Sequence, residues 1–80
     1  MKLLINGEQK LIPILEKNAS LRAVIEHLNL NPKLIVVEFN GEIINSHNWA
    51  EQQVKEGDIL EIVTIVGGGW LNQKMKSIHK

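Results

Sequence analysis

The tightest constraint on this chain is a pair of Asn-Gly dipeptides, Asn6-Gly7 and Asn40-Gly41, each set between apolar runs. A two-residue hairpin that matches strand twist needs positive φ at both central residues, and Asn-Gly supplies this at little steric cost. Leu3-Leu4-Ile5 leads into the first turn, and Gln9 to Ile14 returns from it. Leu34 to Phe39, rich in β-branched residues, leads into the second, and Ile43-Ile44 is its brief return. Both turns continue into Glu, but the repeated Asn-Gly-Glu is the expected hairpin solution and not a sign of duplication. Pro13 has no N–H to give to a ladder, so the second strand is expected at an edge or irregular there, or simply ended by the proline.

Between the hairpins lies one helical pattern. Ser20 is placed to cap it. Leu21, Val24, Ile25 and Leu28 follow at i, i+3, i+4 and i+7, and Asn29, Asn31 and Pro32 end it. Ser46 is expected to cap a single helical turn that carries Trp49 as a core or capping aromatic. Lys55-Glu56-Gly57-Asp58 reads as a turn, with Gly57 at positive φ. The last strand runs from Ile59 to Val66, with Leu60 and Ile62 pointing inward and Glu61, Val63 and Ile65 on the opposite face. These elements predict an α+β fold: a mixed sheet of four to five strands with one main helix packed on one face. The first and last strands are expected side by side, parallel, at its centre.

Composition narrows the function. Eighty residues make one small domain, and a chain this short hides only ~60–65% of its extended surface. It has no cysteine, which removes disulfides, thiolate metal sites and a cysteine nucleophile. Formal net charge is zero and aromatics are 4%, so neither phosphate contacts nor base stacking supports a nucleic-acid partner. No apolar run approaches the ~20 residues that span a bilayer, and the first residues turn polar too early for a signal peptide. A cytoplasmic location with no membrane partner is the expectation. His27, His47 and His79 lack ligand spacing, the carboxylates are scattered singly, and Ser20, Ser46 and Ser77 have no triad context. No metal site is predicted, and an enzyme in its own right is not expected.

The zero net charge hides an asymmetry. Residues 1–69 hold Lys2, Lys10, Lys17, Arg22, Lys33 and Lys55 against all nine acids, whereas residues 70–80 hold Lys74, Lys76 and Lys80 and no acid. Gly67-Gly68-Gly69 separates the two parts. The expected organisation is a domain over 1–66, a flexible glycine tail over 67–69 and a basic extension over 70–80, disordered or cleaved. Glycines leaving a central strand form a thin thread that can enter another protein's narrow site and present a carboxyl group there. Spacing alone favours the plainer reading of a linker.

Asn40-Gly41-Glu42-Ile43-Ile44, Trp49, Glu56-Gly57-Asp58 and the closing Ile65-Val66-Gly67-Gly68-Gly69 together resemble the ThiS sulfur carrier family of thiamine biosynthesis. The resemblance covers residues 1–69 and implies a ubiquitin-like β-grasp fold. It also implies a carrier, not an enzyme. A ThiF-like adenylating enzyme using ATP and Mg would activate the C-terminal glycine carboxylate. Sulfur from a donor such as a cysteine desulfurase would then replace AMP, and the thiocarboxylate would serve thiazole synthase. The implied adenylation and thiocarboxylate site is Gly69 with Gly68, carried on Gly67. The implied partner-docking surface is Val63, Ile65 and Val66. No intrinsic cofactor follows from the resemblance.

Two departures stand out. Asn45-Ser46 replaces the family's frequent Pro-Arg, a loop change. More consequentially, the Gly69 carbonyl is in a peptide bond to Trp70, so adenylation there requires removal of 70–80. Trimming by a protease is the expectation; a lineage that no longer carries sulfur, or residues added by read-through, are the alternatives. Leu71, Met75 and Ile78 lie at i, i+4 and i+7 among the lysines, a short basic amphipathic pattern, and Trp70 and Leu71 are able to pack on the Val63/Ile65 face. Two other functions compete: a carrier like the small subunit of molybdopterin synthase, and a β-grasp interaction module without covalent chemistry.

Overall fold

The computed structural model describes residues 1–65. Val66, the Gly67–Gly69 thread and the 70–80 extension lie outside the described residues. Strand β1 spans Lys2–Ile5 and β2 Glu8–Leu11, followed by helix α1 over Leu21–His27. Strands β3 (Ile35–Phe39), β4 (Glu42–Ile44) and β5 (Ile59–Thr64) complete one five-stranded sheet in the order β2-β1-β5-β3-β4. β5 pairs in parallel with β1 and antiparallel with β3, so the first and last strands meet at the centre, as the sequence predicts. β2 lies at an edge and ends at Leu11, before Pro13 can interrupt the ladder.

Both Asn-Gly turns adopt the expected conformation. Asn6 and Gly7 have φ of 52° and 82°, and Asn40 and Gly41 have 49° and 89°. Gly57 is at φ 87°.

The core lies between the sheet and α1. Leu3 and Ile5 of β1, Val37 and Phe39 of β3, and Leu60 of β5 meet Leu21, Val24 and Ile25 of α1. Ile62 packs against this cluster, while Leu28 closes the end of the helical stripe. At about 25 cal/mol per Å² of apolar area removed from water, such burial is the main source of stability in so small a domain.

Helix α1 is short, so its four orphan N–H groups matter. Ser20 Oγ accepts from Ala23 N at 3.1 Å, the cap read from the sequence. The segment after β4 supplies two more partners: Leu21 N donates to Gln52 O at 2.7 Å and Arg22 N to Trp49 O at 3.1 Å. Val24 N then donates to Ser20 O at 3.1 Å, the first i→i−4 bond of the helix itself. Trp49 is 3% exposed, and its Nε1 donates to Ile44 O at 3.0 Å, so it joins β4 to the helix start.

Three local readings change. The turn at Ser46–Asn48 is a 3₁₀ turn capped by Asn45, whose Oδ1 accepts from His47 N at 2.9 Å, and not by Ser46. An Asn side chain at this position accepts from the N–H two residues on, which places the cap one residue earlier. Leu34 belongs to a 3₁₀ turn with Pro32 and Lys33, because proline fixes the entering φ, and β3 starts one residue later than expected. β5 ends at Thr64, so Ile65 lies just outside it, although Ile65 N still donates to Leu34 O at 2.6 Å. Among the described residues no helix is long and apolar enough to cross a membrane.

Candidate functional site

The candidate site is the end of β5, from which the chain leads to the glycines. β5 is held on both sides. β3 pairs with it over five positions, from Phe39↔Leu60 to Ile35↔Thr64. On the other side β1 pairs at only two, Leu4↔Ile59 and Ile5↔Leu60, and then turns away at Asn6. The Asn6 side chain takes over where that ladder stops. Its Oδ1 accepts from Ile62 N at 2.6 Å and its Nδ2 donates to Ile62 O at 3.1 Å. A side-chain amide presents the same donor and acceptor as a peptide group, so it extends the parallel pairing by one step without a strand.

The start of β5 is fastened the same way by the other turn. Asn40 N donates to Ile59 O at 2.7 Å, and Asn40 Oδ1 accepts from Ile59 N at 2.8 Å. Asn40 Nδ2 donates to Asp58 Oδ1 at 3.2 Å, and Asp58 Oδ2 accepts from Lys55 N at 2.8 Å. Asp58 is 7% exposed, and these bonds satisfy both of its oxygens. The sequence reading assigned the asparagines to turn conformation alone. Their second role was missed because it depends on which strand the sheet brings beside each turn.

Of the predicted docking residues, Val63 is buried and Ile65 half-buried; Val66 lies outside the described residues, as do Gly67, Gly68 and Gly69. Val63 shares its sheet face with Glu61, while Leu60 and Ile62 face the core, the alternation read from the sequence. The exposed apolar side chains nearest β5 on Val63's face are Leu4 and Ile59, opposite one another across β1 and β5.

The rest of the described surface offers little chemistry. His27 ends α1, and His47 sits in the 3₁₀ turn with its Nδ1 2.7 Å from Asn45 Oδ1. His79 lies outside the described residues. Among the described residues no group of three or more His, Cys, Asp or Glu could hold a metal, and no buried side-chain polar atom lacks a partner. A groove of about 220 Å³ lies between α1, Leu30, Pro32 and Trp49. The two charges on its rim, Arg22 and Glu26, pair with each other at 3.1 Å.

Comparison with known proteins gives the context of this geometry. The ThiS family profile matches residues 3–69. A crystal structure of the thiamine biosynthesis protein ThiS from Geobacter metallireducens superposes with a TM-score of 0.74 at 27% identity, over 86% of this chain and 100% of that one. The arrangement described above is thus the ubiquitin-like β-grasp. The sulfur carrier protein ThiS of Bacillus subtilis is 34% identical over 50 residues, which are 62% of this chain and 76% of that protein. A thiazole synthase from Paramagnetospirillum magneticum is 36% identical over 69 residues, 86% of this chain but only 20% of that much longer protein.

Proposed function

The chain belongs to the ThiS family, and from that premise we propose that it is the sulfur carrier for thiazole formation in thiamine synthesis, with Gly69 as the bearing residue. One observation carries the assignment of Gly69: the family match ends on it, and the 70–80 extension falls beyond the match. Proteins of this type are small carriers and not enzymes.

The fold suits the task. β5 is anchored through Ile62 by Asn6, and Ile65 just beyond it is held by Leu34, so the thread starts from a fixed point. Gly69 lies four residue steps beyond Ile65, a reach of at most ~14 Å at ~3.3–3.6 Å per residue. Without a Cβ, glycine leaves the carboxylate open to attack and able to pass through a narrow channel.

The chemistry belongs to partners. In the ThiF-like activating enzyme, a carboxylate oxygen of Gly69 attacks the α-phosphorus of Mg-bound ATP, and pyrophosphate leaves. The terminal sulfur of a persulfide then attacks the acyl carbon, and AMP leaves. A thiol cleaves the remaining S–S bond, and the thiocarboxylate is the form that thiazole synthase consumes. Gly68 and Gly67 supply the slender approach. The docking surface includes Val63, Ile65 and Val66, with the exposed Leu4 and Ile59 continuing it. The thiazole synthase relative supports that partner, because a stretch like this chain lies within its polypeptide.

Since Gly69 is bonded to Trp70, the chain must be cut after Gly69 before it carries sulfur. The test compares the full chain with one ending at Gly69, each incubated with activating enzyme, ATP and a persulfide source. Intact mass should show oxygen replaced by sulfur at the C-terminus of the shorter chain only. No adenylate or thiocarboxylate on either chain sinks the reading and leaves an interaction module. Sulfur transfer by protein that retains Lys80 sinks the trimming step.

A further inference from the structure

We propose that residues 70–80 dock on the face of the sheet that α1 leaves uncovered. The register places Leu4, Val36, Ile43, Ile59 and Val63 together on that face. Leu4 is 36% exposed, Ile59 44% and Ile43 54%, so apolar side chains stand open along this face from the start of β5 to its middle, while Val63 near its end is buried. In its middle, Glu38 and Glu61 lie directly opposite each other on β3 and β5. Like charges in a cross-strand pair destabilise a sheet, and a cation lying over them reverses the sign. The two ion pairs among the described residues, Lys10–Glu8 and Arg22–Glu26, involve neither carboxylate. Lys2 shares the face but lies level with Gly57, four residues below Glu61 and so ~13 Å down the strand.

The chain carries its own complement to this face. Residues 70–80 hold Lys74, Lys76 and Lys80, no acid, and the apolar Trp70, Leu71, Met75 and Ile78. At 100° per residue, Leu71, Met75 and Ile78 form one helical stripe with Lys74 on its flank, an arrangement that sets apolar contacts around a cation. Lengths agree as well. Eleven helical residues span ~16 Å, and the face from Val63 to Ile59 spans ~13 Å. The three glycines between Val66 and Trp70 permit the reversal this needs. Eleven residues are too few to hold a helix alone, so any order in the segment comes from the contact. The segment lies beyond the family match, and the inference does not depend on the sulfur-carrier reading. Its consequence is competition: a partner that binds this face must first displace the extension.

The chain has no cysteine, so Ser77→Cys provides a single labelling site in the otherwise intact protein. A nitroxide there should broaden the amide signals of Val36, Glu38, Ile43 and Glu61 and spare those of α1. Adding Leu71→Asp and Met75→Asp should abolish the broadening without shifting the melting temperature. Salt near 1 M, where the Debye length is ~3 Å, should weaken it. Broadening spread evenly over the domain, or strongest at α1, overturns the proposal. So does broadening that appears only between labelled and isotope-labelled copies, which would assign the face to a second copy of the chain.

Discussion

Asn6 and Asn40 sit in near-identical turns, at φ 52° and 49°, and both reach out of the turn to grip β5. Asn40 grips the start of the strand within a network: its side-chain amide accepts from Ile59 N and donates to Asp58 Oδ1, and Asp58 Oδ2 in turn accepts from Lys55 N. Asn6 grips Ile62 without such backing, and its bonds are solvent-exposed. The difference teaches that the same dipeptide serves two ends of one strand for different purposes. The Asn40 end is built for stability, because a buried carboxylate there must be satisfied. The Asn6 end sets the position of the strand from which the glycines leave.

Three substitutions break this comparison, in decreasing order of effect. Asp58→Ala leaves Lys55 N–H and Asn40 Nδ2 without their partner in a part-buried place, so it should cost ~2 kcal/mol, read as a shift of the urea midpoint. Asn40→Gly keeps the positive φ of the turn and removes only the grip. It should cost ~1–2 kcal/mol, because Ile59 N–H and one oxygen of Asp58 lose their partner together. Asn6→Gly has the same effect on the turn and should cost ~1 kcal/mol or less, with amide exchange speeding up at Ile62 more than at Ile59. If Asn6→Gly destabilises more than Asn40→Gly, the assignment of roles is wrong.

A finer test sharpens the division between position and stability. In a chain ending at Gly69, studied well below its melting temperature, Asn6→Gly should slow sulfur loading more than Asn40→Gly, although it destabilises less. Small misplacements of a reacting group reduce rate without changing the fold. Equal loading rates for the two variants would confine Asn6 to a structural role.

Much of this was legible in the residues themselves. Asn-Gly specified both hairpins, Ser20 and the spacing of Leu21, Val24 and Ile25 specified α1, and Pro13 marked the region just past the end of β2. Each is a local rule whose cause lies within a few residues. Leu34 and Asn45 show where such rules slip by one position: Pro32 and an Asn side chain-to-backbone bond decided those boundaries. The family was legible through the order of its motifs, while Gly67–Gly69 lie outside the described residues. The site was not legible at Asp58, whose burial and link to Asn40 span eighteen residues of chain.

The sequence by itself determined the turns, the helix, the inward and outward alternation of β5 and the charge asymmetry between residues 1–69 and 70–80. These follow from backbone sterics, side-chain period and charge, all local. Only the tertiary structure decided that Asn6 meets Ile62 across 56 residues, that Gln52 and Trp49 complete the helix cap, and that Glu38 faces Glu61. Those contacts depend on strand order and register, which the packing of the whole core against α1 selects at once.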